Sequence, residues 1–174
     1  MKLKSLALAG PFIALLISCS AHVDLPDNPA IQSGNIPDYA SGPLAGKING
    51  QAWSLGHGVA ATYVSNGQST LYLSFGQTAS SDPCAPVDTS GSGGSYVTAS
   101  APNQTGETKF NVFTVPPVTI GYAGPQGETS AFANGKIRID SVTATQVTGH
   151  LVAQSDADNT VNGAFTVSIC NSDH

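Results

Sequence analysis

Wherever apolar and polar positions alternate regularly along this chain, the period is two. Leu71, Leu73 and Phe75 alternate with Thr70, Tyr72 and Ser74, and Ile137 and Ile139 alternate with Lys136, Arg138 and Asp140. Phe110, Val112 and Thr114 alternate in the same way with Asn111, Phe113 and Val115. From residue 44 onward no 3.6-residue apolar period persists beyond two turns, and Gly, Asn, Pro or Ser bounds each short run, the pattern of strands joined by turns. About nine or ten strands are expected in an all-β fold: an antiparallel β-sandwich, with a β-barrel or jelly-roll-like closure as the alternative. Two facing sheets would bury Trp53, the Phe residues and the aliphatics in one core. Asn49-Gly50 predicts a type I′ hairpin turn, whose two central residues both need positive φ.

The C-terminal quarter repeats itself. Val147-Thr148-Gly149-His150-Leu151-Val152-Ala153 is echoed by Val161-Asn162-Gly163-Ala164-Phe165-Thr166-Val167. Folding the segment about Asp158 predicts an antiparallel hairpin with Leu151 facing Phe165, Val147 facing Ile169 and Gly149 facing Val167. The loop Ala157-Asp158-Asn159 would then place Asn159 in the left-handed region. A slip of one residue would turn one apolar set against the other strand's polar set.

The N-terminal 43 residues follow different rules. Lys2 and Lys4 precede an apolar run from Leu6 to Ile17, interrupted by Gly10 and Pro11. That run fits the core of a secretory signal and is too short to span a bilayer as a helix. It ends in Leu16-Ile17-Ser18-Cys19, which resembles the lipobox of bacterial lipoproteins: an aliphatic residue, a tolerant position, a small residue and the Cys that becomes acylated. The resemblance implies a signal peptide over 1–18 and lipidation of Cys19, with palmitate among the acyl chains. More than one chain is needed, since a single one holds only marginally. Ser20, not Asp, follows the Cys, which by the sorting rule of enteric bacteria implies the outer membrane. Residues 19–43 read as the lipidated Cys and a tether, in which Pro26, Pro29, Pro37 and Pro43 alternate with Gly, Asn, Asp and Ser. Such a spacer reaches at most about 80 Å, and on the order of 30 Å when flexible. The β domain is expected over 44–174.

Composition narrows the function. Only 10% of the 174 residues are charged, against roughly 25% in ordinary soluble domains. The formal net charge is −5. Loss of Lys2 and Lys4 with the signal leaves four basic side chains against eleven acidic ones, or −7. A nucleic-acid binder must neutralise phosphates, so this class is excluded.

Of the three Cys, acylation of Cys19 leaves Cys84 and Cys170, an even pair in an oxidising compartment. They are expected to form a disulfide. No G-x-S-x-G, S-x-x-K, H-E-x-x-H, C-x-x-C or P-loop pattern occurs, and no catalytic, cofactor or metal residues are assigned. His22 falls in the tether and His174 is the last residue. His57 and His150 remain, and they read as partly exposed strand or loop histidines rather than zinc ligands joined by an Asp. Asp156-Ala157-Asp158-Asn159 with Asn162-Gly163 superficially resembles a calcium loop. Val161 and Val167 stand where that loop needs Gly and Glu, so a solvated hairpin tip is expected. Asp82, Asp88, Glu107 and Glu128 are the carboxylates from which a glycosidase pair would be drawn, and no spacing pairs them. Tyr63, Tyr72, Tyr96 and Tyr122 suit a carbohydrate or peptide surface, or the covering of a sheet edge. Gly91-Ser92-Gly93-Gly94-Ser95 reads as a flexible connector. Asn103-Gln104-Thr105 matches an N-glycosylation site.

The lipobox, the polar tether, an early Gly46-Lys47-Ile48-Asn49-Gly50 hairpin and the closing run from Val161 to Cys170 together resemble bacterial surface lipoproteins with a C-terminal β domain. The closing strand ended by Cys170 is also distantly similar to the mycobacterial lipoprotein antigen family, although Cys84 lies mid-chain and not in an early strand. These resemblances imply a lipoprotein class and no reaction. The expected function is a lipid-anchored envelope protein, a non-enzymatic binding or adhesion module. The alternatives are a hydrolase of envelope or extracellular polymers and a structural accessory of an envelope complex. Its expected partners are the membrane, through Cys19, and a protein or carbohydrate ligand, without cofactor.

Overall fold

The computed structural model describes residues 36–89, 94–111, 113 and 117–170. The signal peptide, Cys19, most of the tether, His22, His174 and the centre of the 91–95 connector lie outside them. Among the described residues there is no helix. Eleven strands form in chain order: β1 Ala45–Ile48, β2 Gln51–Ser54, β3 His57–Ser65, β4 Gln68–Gly76, β5 Tyr96–Pro102, β6 Gly106–Lys109, β7 Ile120–Ala123, β8 Thr129–Ala131, β9 Asn134–Val142, β10 Gln146–Gln154 and β11 Thr160–Ile169. The all-β expectation holds. The strands join in one sheet, β6-β9-β10-β11-β3-β4-β5-β7-β8, with β1 between β11 and β2. It curls into a half-barrel and wraps its apolar face around a single core.

One join corrects the antiparallel expectation. The end of β11 pairs with β3 in parallel, Ser168 opposite Val59 and Ile169 opposite Ala60. The start of β11 pairs antiparallel with β1. Two N-terminal segments thus clasp one edge of the C-terminal strand, so the first and last parts of the domain fold against each other.

Inward positions follow the alternation. Leu71, Leu73 and Phe75 on β4 and Ile137 and Ile139 on β9 are at most 2% exposed, as is Trp53. Each such side chain contributes roughly 1.5–3 kcal/mol by leaving water. Asn49 and Gly50 have φ of 50° and 74°, as the type I′ turn demands, and Asn66 and Gly67 repeat those values between β3 and β4. Of the expected alternating run over 110–115, Val112, Thr114 and Val115 lie outside the described residues, and those described on either side do not continue β6. β6 stops at Lys109, Asn111 bridges Val118, and Phe113 lies in a turn, 93% exposed. Asn111 ends the run because its own carboxamide accepts the Phe113 N–H at 2.9 Å, a local turn bond that competes with the ladder.

The C-terminal hairpin forms, two residues out of the expected register. Leu151 faces Gly163, Gly149 faces Phe165 and Val147 faces Val167. A shift of two preserves the faces, so Leu151 and Phe165 are both buried on the core side. The physical reason is size. Facing Leu151 with Phe165 would crowd two large side chains, whereas this register sets each against a glycine. The loop is also longer, Ser155 to Asn159, closed by the Ser155 N–H on the Asn159 carbonyl at 3.0 Å. Asn159 accordingly does not take positive φ.

The boundary at residue 44 also shifts. Asn162 accepts the Ala40 N–H on its Oδ1 (2.8 Å) and donates Nδ2–H to the Asp38 carbonyl (3.0 Å). The Ala164 N–H donates to the Gly42 carbonyl and the Leu44 N–H to the Ala164 carbonyl, each at 2.8 Å. Residues 38–43, tether by composition, are therefore a strap along the edge of β11, with Pro43 bridging Ala164 in parallel.

Candidate functional site

Between β4 and β5 the chain makes its longest excursion, residues 77–95. Its first half is built by short polar turns. The Ser80 hydroxyl accepts the Asp82 N–H at 3.1 Å, and the Asp82 carboxylate accepts the Cys84 N–H at 2.9 Å. Two anchors then fix it. Cys84 is bonded to Cys170, with Cα atoms 5.6 Å apart, and the Cys170 N–H donates to the Ala60 carbonyl at 2.8 Å. His57 Nε2–H donates to the Ala85 carbonyl at 2.9 Å. Trp53 Nε1–H holds the far end by donating to the Ser95 carbonyl at 3.0 Å. Sequence reasoning found the disulfide and missed the work of His57, because a single His bonded to a backbone carbonyl leaves no spacing signal.

The pinned loop leaves a groove on each side of His57. One, about 270 Å³, is lined by His57, Gly76, Gln77, Val87, Asp88 and Ser95 among others. There is little room at Gly76, since a Cβ would lie 3.0 Å from Val87 Cγ1. The other, about 390 Å³, runs from Leu55 and His57 past Ser80 and Pro83 to Gln146 and Thr166. A further hollow of about 390 Å³ continues from Leu55 and Thr166 to the strap at Ser41–Pro43. The latter two follow the seam where β11 passes from β1 to β3. The walls of the three hollows hold mostly neutral polar atoms and apolar groups, and His57 and Asp88 are the ionisable side chains that line them.

A second cluster sits on the outward face of β9 and β10, beneath the strap. Asp140 accepts Arg138 Nε–H at 2.7 Å on one oxygen and His150 Nδ1–H at 2.8 Å on the other. Burial pulls the Asp140 carboxyl upward, but the Arg138 and His150 hydrogen bonds outweigh it and hold the group below its ordinary value. The Tyr39 ring caps the cluster, 5.6 Å from the His150 ring, with Lys136 Nζ 4.6 Å and the Arg138 guanidinium 5.0 Å from its centroid. These cations on an aromatic face secure the strap. The Tyr39 hydroxyl is buried without a partner in hydrogen-bond geometry. Burial first, and then the nearby Glu107 carboxylate, push its ionisation well above the ordinary 10.0. The folded state therefore favours the neutral phenol, so its contribution to stability is intact below pH 10 and is lost as pH rises above it. Unfolding midpoints measured across this range should fall with rising pH, and Tyr39→Phe should flatten the fall.

The other sequence candidates are dispersed. Glu107 on β6 meets Lys136 at 3.9 Å. Glu128 bonds Asn49 of the first hairpin. Asp82 is occupied in the loop turn described above. Asp156 accepts from the Asp158 N–H (2.8 Å) and Asn159 Nδ2 (3.1 Å), a hairpin-tip arrangement. Among the described residues no group of three or more His, Cys, Asp or Glu is placed to hold a metal ion, and no helix is long and apolar enough to cross a membrane. Tyr122 is buried against Phe132, whereas Tyr63 and Tyr72 stand out from β3 and β4. No family model, curated protein or solved structure matches the chain.

Proposed function

We propose that this is an exported, lipid-anchored envelope protein whose β domain is a non-enzymatic binding module, with the paired grooves beside His57 as its binding site. The observation that carries the reading is the pinned loop between β4 and β5, described over 77–89 and 94–95. Long loops without secondary structure are uncommon in compact domains and tend to be functional. This one is fixed by a disulfide, by His57 and by Trp53, while hollows remain along it. Fixing a loop before the ligand arrives lowers the ordering cost of binding. The disulfide also supports an oxidising compartment, in keeping with the lipobox at Cys19 and an outer-membrane location.

The hydrolase alternative draws support from one contact, His150 against Asp140. That pair is tied to Arg138, lies under Tyr39 and lines none of the three hollows. Binding is therefore the better reading.

Two measurements test it. In its host, the protein should take up radiolabelled palmitate and sediment with membranes, and Cys19→Ala should do neither. The purified protein should then be melted with soluble muropeptides, short oligosaccharides and envelope peptides. A ligand at a hundredfold excess over its Kd adds about 2.7 kcal/mol of stability, a rise that Ser80→Trp should abolish by filling the hollow. Catalytic turnover of any of these compounds would establish the hydrolase instead.

A further inference from the structure

We infer that the outward face of β3 and β4, around Tyr63 and Tyr72, is a docking surface for an uncharged polysaccharide. Tyr63 is 58% exposed and Tyr72 51%. Their ring centroids are 6.4 Å apart with planes at 69°, so the rings form an open corner rather than a closed stack. The register produces it: Tyr72 faces Ala61 and Tyr63 faces Thr70, which makes the tyrosines diagonal neighbours on one side of the sheet. The core lies on the opposite side, under Leu71 and Leu73. Neither ring is there to fill it.

The surroundings decide the occupant. From Ile48 to Ser81, and again from Thr89 to Gly106, the sequence contains no Asp, Glu, Lys or Arg. β3, β4 and β5 are thus three adjacent strands without a formal charge, in a chain of net charge −5. Beside the rings the accessible outward positions are small or hydroxylated: Ala61 and Ser65 on β3, and Ser74 of β4 facing Thr98 of β5. Phosphate-bearing ligands, whether nucleic acid or anionic lipid, need cations that this face lacks. A peptide partner of either charge would find nothing to pair with. A sugar ring matches the chemistry on both counts. Its C–H face packs on an aromatic ring, and its hydroxyls exchange hydrogen bonds with neutral partners. The surface is open where a pocket would enclose a monomer. Affinity must then come from successive units of one chain engaging the corner and the Ser65, Ser74 and Thr98 hydroxyls near it.

The test uses the full mature lipoprotein in mild non-ionic detergent, run through native gels cast with dextran, soluble starch, galactomannan or hydroxyethylcellulose. Alginate and heparin serve as charged controls. Because the test polymers are neutral, slowed migration of this acidic protein reports binding and not charge. At least one neutral polymer should retard the wild type. Tyr63→Ala and Tyr72→Ala should each weaken the apparent affinity roughly tenfold, about 1.4 kcal/mol. Tyr63→Phe and Tyr72→Phe, which keep the ring, should remain close to wild type. Thermal midpoints within a few degrees of wild type would exclude misfolding, as expected for outward positions. Ser80→Trp should leave the retardation unchanged, which separates this surface from the His57 grooves. The inference is overturned by retardation in no neutral polymer, by equal retardation of the Ala variants, or by binding to the charged polymers alone. It is also overturned if the Ala variants merely dissociate a dimer on size exclusion, which would give the face to a second copy of the chain.

Discussion

Replacing Cys84 and Cys170 together by Ser is expected to lower the unfolding free energy by about 4 kcal/mol, close to what loop-closure entropy assigns to a cross-link of this span. The bond joins residues 86 apart, so it forbids a large share of the extended conformations that the reduced chain explores. Domains of this size are stable by only roughly 5–15 kcal/mol, which makes this one of the largest single contributions available to the fold. Urea titration should show two changes together: a lower midpoint, and a steeper dependence on denaturant because the uncrosslinked unfolded state exposes more surface. Hydrogen exchange should localise the native-state effect. Amides of the 80–87 loop should exchange faster, while those shared by β10 and β11 should not, since their ladder does not depend on the bridge. An unchanged midpoint, with both substitutions verified by mass, would show that the loop is held by His57 and Trp53 alone. The grooves would then have to be regarded as independent of redox state.

Strand content was legible because its cause is local. Alternation at Leu71–Phe75 and Ile137–Ile139 puts one face in the core whatever the neighbouring strand turns out to be. Asn49-Gly50 was legible for the same reason, its positive φ values being a property of two residues. The parallel join of β11 to β3 was not, since nothing in Ser168-Ile169 states which edge it will meet. The hairpin register shows the boundary between the two cases. Period two fixed the faces, but choosing among registers of equal parity required knowing that Leu151 and Phe165 each need a glycine opposite. Composition likewise misplaced the strap. Proline and small polar residues describe a tether until Asn162, far along the sequence, supplies hydrogen bonds to Asp38 and Ala40. The candidate site was legible in its covalent part, Cys84 with Cys170, and not in its cavities, which exist only where loop, seam and strap come together.

Gly163→Ala should be the most destabilising of the glycine substitutions compared here, by roughly 2–4 kcal/mol, because it combines backbone strain with a clash that no rotamer relieves. Gly163 has φ of 150°, and an added Cβ would lie 2.4 Å from the Pro43 carbonyl oxygen and 2.7 Å from Leu44 Cα. All of these neighbours are main-chain atoms, so relief requires the strap to lift. Two controls separate the causes. Gly67 has φ of 74° with nothing within 4 Å of its added Cβ, so Gly67→Ala should cost only the conformational part, about 1 kcal/mol. Gly149 lacks positive φ, but its Cβ would meet the Arg138 carbonyl oxygen at 2.2 Å and the Phe165 ring at 2.8 Å, so Gly149→Ala should report crowding alone. Chemical denaturation of the three variants should rank them with Gly163→Ala lowest and Gly67→Ala nearest wild type. A Gly163→Ala cost equal to that of Gly67→Ala would mean that Gly42–Leu44 does not lie against β11 in solution. On the lipid-anchored reading proposed above, the ranking also bears on how load reaches the domain. With the strap in place, tension from the N-terminal side enters through hydrogen bonds at Asn162 and Ala164, at the centre of the sheet. With the strap displaced, Tyr39 leaves its cations, and limited proteolysis should cut near Tyr39 in Gly163→Ala while sparing wild type.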